Sequence, residues 1–354
     1  MKINIPVIEQ TNLKAKGIFY VGGVYTGQAG HTHMSGQMFV EVYIPKEIQH
    51  EYPLIFFHGA GQTNVNWMQT PDGRKGWADY FIEKGYVVYL AEQPARGRSA
   101  YHPDTDGNRI YHSIEVAEDH FIAATGNWPQ AKLHTQWPEH SNAKGEYGYD
   151  QFMSAQVEYL DSNAKSQQLV LNAAKELLEK TGPAILVTHS QAGPFGWQIA
   201  DQYPKFVRGI IAIEPFGPPF SRNIQSKKAE NYGLGSLNMH FDPPVNQLAD
   251  FKICKCYKET EDQKDGLTLS EEDSHTLPNL ADKKILILTG EASYHAGYDY
   301  LISKLLHKLK VPHEHVLLSD QGICGNGHMM MYEKNNLEIA EFMHQWLSKH
   351  FPRT

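Results

Sequence analysis

The sequence predicts an α/β protein, a mainly parallel sheet of the eight-stranded type with helices on both faces. Two observations predict it. Short runs of β-branched and aromatic residues recur along the chain with no polar face, and such runs suit strands covered on both sides. Between them lie stretches with apolar residues at helical spacing, and this alternation is the pattern of a parallel sheet wrapped by helices.

The first two β-rich segments, Ile18 to Val21 and Met38 to Ile44, are bounded by glycine or proline and read as an antiparallel entry to the sheet. Buried strands follow at Leu54 to Phe57, Val87 to Leu90, Ala184 to Val187, Ile210 to Ile213 and Ile285 to Leu288, with Val316 to Leu318 closing the series. Trp77, Tyr80 and Phe81 repeat at i, i+3, i+4 ahead of Gly85, which can cap that helix. Leu169, Ala173, Ala174, Leu177 and Leu178 form a second stripe that stops at Gly182-Pro183. Ile339, Phe342, Met343, Trp346 and Leu347 form the last.

Two segments break the alternation. Residues 100–159 are rich in aromatics and residues 215–282 in proline and charge. Both follow the C-terminal end of a strand, where open α/β sheets place ligands. The expectation is one domain over residues 1–354, with these insertions forming a lid or cap. Trp128 and Trp137 in the first insertion either line an apolar pocket or pack the lid onto the domain.

Composition excludes several function classes. The 354 residues are 41% hydrophobic and 20% charged, which fits a globular chain with a sizeable core. A net charge of -8 disfavours nucleic acid as a partner, because phosphate binding needs a basic face. No apolar run approaches the roughly 20 residues of a membrane span. No apolar run follows the first lysine either, so with Met1 as the natural start the expected location is cytoplasmic. Three cysteines make no disulfide framework, and Cys254-Lys255-Cys256 lacks the second pair of a zinc site. The pairs His31/His33 and His313/His315 read as surface or packing residues. No metal and no organic cofactor is expected.

The chemistry concentrates in Ile185-Leu186-Val187-Thr188-His189-Ser190-Gln191-Ala192-Gly193. An apolar strand runs into a serine and then into a helix, the setting of a nucleophile elbow. The sharp turn lifts the hydroxyl above the sheet and needs small residues around it. Thr188 and Ala192 stand where that motif more often has glycines. Earlier, Leu54 to Phe57 leads into His58-Gly59-Ala60-Gly61, a turn that can aim a backbone N–H at a developing negative charge. The candidate oxyanion donors are the N–H groups of Ala60 and Gln191.

This fold runs serine, acid, histidine in chain order. His328 follows the last strand inside a glycine-rich loop, Gly325-Asn326-Gly327-His328-Met329, and is the candidate base. For the acid, Glu214 ends one strand and Glu291 the next, with Asp299 just beyond. Spacing alone leaves these open. Pro215 is expected to hold Glu214 in extended geometry. Arg96-Gly97-Arg98-Ser99 either binds an anionic substrate group or serves structure.

Thr188 to Gly193, Ile213-Glu214-Pro215, Phe19 to Gly23 and the tail Gly325 to Met331 with Asn335-Asn336 resemble an atypical group of bacterial serine esterases of the α/β-hydrolase fold. The resemblance implies a glutamate acid after the earlier strand, which selects Glu214. That group's oxyanion segment has adjacent cysteines where this chain has Gly59-Ala60, so its oxyanion details do not carry over. The expected function is cleavage of a carboxylic ester by Ser190, His328 and Glu214 through an acyl-enzyme. A small-molecule ester is the expected partner, and a homodimer is allowed. Lyase, lactonase or C–C hydrolase chemistry on the same triad, and a silent binding protein, are the alternatives. Substrate-binding residues are not identified.

Overall fold

The computed structural model describes residues 5–122, 127–138, 143–221 and 230–353. Met1 and short stretches of both insertions lie outside the described residues.

The central sheet has eight strands, numbered here within that sheet: β1 (Leu13–Thr26), β2 (His33–Pro45), β3 (Leu54–Phe57), β4 (Val88–Glu92), β5 (Ala184–His189), β6 (Val207–Ile213), β7 (Lys284–Thr289) and β8 (Glu314–Leu317). Their spatial order is β1-β2-β4-β3-β5-β6-β7-β8. β2 is antiparallel to both neighbours, and every later pair is parallel. The chain leaves β3 toward β4 on one side and returns through β5 on the other. The crevice at the C-terminal ends of β3 and β5 is therefore a topological switch point, where such sheets bind ligands.

Side chains alternate across each strand, so one strand feeds two cores. Leu54 and Phe56 of β3 join a core with helices α1 (Trp77–Glu83) and α5 (Asn336–His350). Ile55 and Phe57 join the opposite core, built with α2 (Asn163–Thr181), α3 (Gly193–Gln202) and α4 (Asp299–Lys308). Ser162 caps α2 by accepting from Lys165 N at 3.2 Å. Gly182 ends that helix at φ 70°, a conformation that favours glycine. Among the described residues no helix is long and apolar enough to cross a membrane.

The first insertion holds short helical turns, the helix Tyr147–Ser154, and a two-residue ladder of Arg109–Ile110 with Tyr159–Leu160. The second holds a hairpin of Ile253–Cys256 with Gly266–Leu269. All three cysteines are free.

Candidate active site

Strand register sets the level of the site. Phe57 of β3 pairs with Thr188 of β5, and His189 pairs with Ile213 of β6. Leu288 of β7 also pairs with Ile213. The residues just past these pairs therefore emerge side by side at one edge of the sheet: Gly59, Ser190, Glu214 and Gly290.

Ser190 sits on the turn between β5 and α3 with φ 55°, in the left-handed region that non-glycine residues rarely adopt. Its residue is 8% exposed, and Ala192 behind it is fully buried. The turn is tight on two sides. A Cβ at Gly193 would stand 2.7 Å from the Cα of Pro215, and one at Gly59 would stand 3.0 Å from the Cβ of Ser190. Neither position has room for a side chain. The Ser190 carbonyl accepts from Phe216 N at 2.9 Å, which ties this turn to the one after β6.

Glu214 and His328 are joined in the interior. His328 Nδ1 lies 2.5 Å from Glu214 Oε2, and both residues are essentially without solvent contact. Glu214 Oε1 accepts from Gly290 N at 2.7 Å, and Oε2 also accepts from Ser293 Oγ at 2.7 Å. Burial and the nearby Asp299 push the Glu214 carboxyl well above its usual range, while the Ser293 hydroxyl and Gly290 N–H pull it back. Burial holds His328 well below an ordinary histidine, and His189 and His295 add to that.

The expected extended geometry of Glu214 is corrected: its φ is 43°. Pro215 disfavours the right-handed region for the residue before it, and the chain escapes to the left-handed side instead. Bonds on both sides hold the turn there, from Glu214 N to Leu288 O at 2.9 Å and from Phe216 N to Ser190 O.

Several further residues surround this pair; of them sequence reasoning weighed Asp299 as an acid, and it faces His295 rather than His328. Glu333 is fully buried and accepts from Gly327 N at 2.8 Å and Asn326 Nδ2 at 2.6 Å, with His134 Nε2 also at 2.6 Å. It anchors the loop that carries His328. Behind His328, His295 Nδ1 lies 2.8 Å from Asp299 Oδ1, and the His295 ring stacks on His328. The Tyr294 ring is 4.9 Å from that of His328. Burial and the Glu214 charge hold the Tyr294 phenol well above 10, so it is a neutral hydroxyl. His189 Nε2 lies 3.0 Å from the His328 carbonyl, and burial lowers it to about 3. The i,i+4 pair His295/Asp299 at a helix start was the one visible signal for this group.

Glu214, His295 and His328 bring ligand-type atoms within 4.8 Å of one another. Two features make this a poor metal centre. Imidazole lone pairs lie in the ring plane, and the two planes are 7° from parallel, so they do not converge on one ion. Both Nδ1 atoms also face carboxylates already.

On the other side of Ser190, Ala60 follows Gly59 at the end of β3. Among the described residues its N–H donates to no carbonyl or side chain. Gln191 is buried at the start of the turn into α3. Arg96, on the loop after β4, reaches both segments through Gly59 O at 3.1 Å and Gln191 Oε1 at 3.2 Å.

Other residues weighed from sequence lie elsewhere. Glu291 accepts from Gly325 N at 2.9 Å and does not reach His328 Nδ1, which Glu214 holds. Trp128 donates from its indole to Ala292 O at 2.9 Å, and Trp137 packs on Phe152; both are buried packing residues. Phe121 of the first insertion lies over His328, 5.6 Å between ring centroids. Arg98 is committed to Glu92 and Glu41.

No family model matches the chain. A curated relative described as "Probable secreted lipase phiG", from Fungal sp. (strain ATCC 74256), is 39% identical over 333 residues, covering 94% of this chain and 89% of its own length. Among solved structures, one described as "The Atomic Resolution Structure of a Novel Bacterial Esterase" superposes with a TM-score of 0.64 at 21% identity, covering 99% of this chain and 100% of that one. The second likeness shows the shared fold, and the first shows the kinship. With its eight-stranded sheet and its strand–serine–helix turn at the switch point, the chain belongs to the esterase and lipase group of the α/β-hydrolases, a family of carboxylic ester hydrolases.

Proposed function

We propose that the protein cleaves a carboxylic ester by a Ser190–His328–Glu214 triad through an acyl-enzyme. The observation that carries this reading is the buried 2.5 Å bond between Glu214 and His328 Nδ1, at the level of the strained Ser190 turn. With Nδ1 engaged, Nε2 is the nitrogen left to take a proton.

Ser190 Oγ attacks the ester carbonyl carbon as its proton passes to His328 Nε2. Glu214 stabilises the imidazolium through Nδ1–H. The N–H groups of Ala60 and Gln191 receive the oxyanion. The intermediate collapses, the bond to the alcohol oxygen breaks, and His328 returns the proton to that oxygen. Water then repeats the sequence on the acyl-enzyme. The part of the first insertion around Phe121 and Trp128 acts as a lid over the base, and the second insertion completes the cap.

The fungal relative is named a lipase, which favours an ester with an apolar acyl chain. That relative is also described as secreted, which favours export over the cytoplasmic expectation.

Fluorophosphonate labelling followed by peptide mass analysis tests the nucleophile. Label is expected on Ser190 and absent from Ser190→Ala, which should also lose ester hydrolysis. Label on another residue, or an active Ser190→Ala, overturns the reading and leaves the silent binding protein or another mechanism. A panel of aryl and alkyl esters, amides and lactones separates ester hydrolysis from lactonase or C–C chemistry.

A further inference from the structure

We propose that Arg96 is the positioning residue of the oxyanion cradle, a single buried guanidinium that fixes the Ala60 loop and the Gln191 turn relative to each other. The inference rests on the oxyanion reading above and deepens it.

Arg96 is 2% exposed. Its Nη1 donates to Gly59 O at 3.1 Å and Gln62 O at 3.0 Å, so it grips the loop on both sides of Ala60. Its Nη2 donates to Gln191 Oε1 at 3.2 Å and Gln93 Oε1 at 3.4 Å. The planar fork spans both segments at once, which a lysine ammonium cannot do.

The grip on Gly59 sets a direction. Gly59 C=O and Ala60 N–H belong to one planar trans peptide and point opposite ways. With the carbonyl pinned to Arg96 and 3.1 Å from His58 Nδ1, the N–H faces away from both. Gly59 itself abuts the Cβ of Ser190, so the peptide is pinned beside the nucleophile.

The charge adds a second argument. Every hydrogen-bond acceptor of Arg96 among the described residues is a neutral carbonyl or amide. Glu92 is ion-paired with Arg98 but still acts electrostatically on Arg96, the Tyr159 ring lies 5.4 Å from the guanidinium, and Arg96 Nε is buried with no hydrogen-bond partner among the described residues. Burying a cation whose hydrogen-bond partners are all neutral is costly. A neutral amide could brace carbonyls and amides without that cost. What a neutral amide does not offer is the five-donor fork that reaches four acceptors on two segments at once.

The test compares an oxygen ester with the matching thionoester. A thiocarbonyl sulfur is larger and a weaker acceptor, so it gains little from an N–H cradle. Arg96→Met is expected to lower kcat on the oxygen ester by about 100-fold, comparable to losing one oxyanion donor. KM should stay within about threefold and the thionoester should lose under about fivefold. Arg96→Lys should fall in between. Equal losses on both substrates, as general loosening would give, overturn the proposal, and so does an oxygen-ester kcat within about threefold of wild type. If Arg96→Met does not fold, Arg96→Lys and Gln191→Met decide by the same criterion: an oxygen-selective loss supports the proposal, and any other result overturns it. Failure of the underlying nucleophile assignment reads differently, as Ser190→Ala activity on both substrates.

Discussion

His295 and His328 stack face to face, with 4.8 Å between ring centroids and 7° between planes, each beside its own buried carboxylate. The two pairs are not equivalent. The Glu214–His328 pair lies where strand register brings the Ser190 turn, whereas Asp299 is tied back to Thr289 Oγ1 at 2.8 Å. His328→Ala should therefore lose at least about 1,000-fold in kcat, as a base does, while His295→Phe keeps a stacking ring and should lose less than about tenfold. Steady-state rates on p-nitrophenyl acetate check this. The reverse ranking would make His295 the base.

The acid is tested by a matched pair of amides. Glu214→Gln keeps the shape and removes the charge that stabilises the imidazolium, so kcat should fall by about two to four powers of ten. Glu291 instead holds Gly325 N at the start of the base loop, and Glu291→Gln should cost less than about tenfold. Equal effects would remove the distinction between the two glutamates.

The pH profile follows from burial. An ordinary histidine protonates near 6.5, and His328 is held well below that, first by burial and then by its histidine neighbours. The base acts in its neutral form, so activity is lost only as pH falls through the lowered value. kcat/KM should be level from about pH 8 to 6.5, with its acid limb below 6.5. A limb centred at or above 6.5 would contradict the buried setting. Stability moves the same way. Between the two values the unfolded chain binds the extra proton, so this group destabilises the fold as pH drops through that window.

Glu333 tests the support of the base. Removing its carboxylate orphans the buried Gly327 N–H, at about 1–3 kcal/mol, and leaves Asn326 Nδ2 only its bond to Asn335 Oδ1. Glu333→Ala should lower the melting temperature and also kcat, because the His328 loop is no longer pinned. An unchanged kcat in a destabilised protein would limit Glu333 to a structural role.

What was legible in the sequence was local. The strand, serine and helix around Ser190 are contiguous, so periodicity and small residues reveal them. Glu214 announced itself as a carboxylate at a strand end, but its backbone did not: the proline rule excludes one region without saying which other the chain takes. The residues missed act across long separations. His134 meets Glu333 through a side chain whose partner leaves no periodic trace nearby. Trp128 and Trp137 showed the opposite problem. Their apolarity was plain, but only their contacts decided that they pack rather than line a pocket.

The two left-handed turns at Ser190 and Glu214, cross-linked by the Phe216 N–H, have a thermodynamic consequence for the whole chain. A non-glycine residue in that region costs of order 1–3 kcal/mol, and the surrounding sheet supplies it. Ser190→Gly relaxes the first turn but leaves the unfolded chain more flexible. The net should still be a higher melting temperature in an inactive protein, read by calorimetry against Ser190→Ala, which keeps the Cβ and the strain. With Ser190 as the proposed nucleophile, reactivity and thermal endurance are thus opposed at a single position.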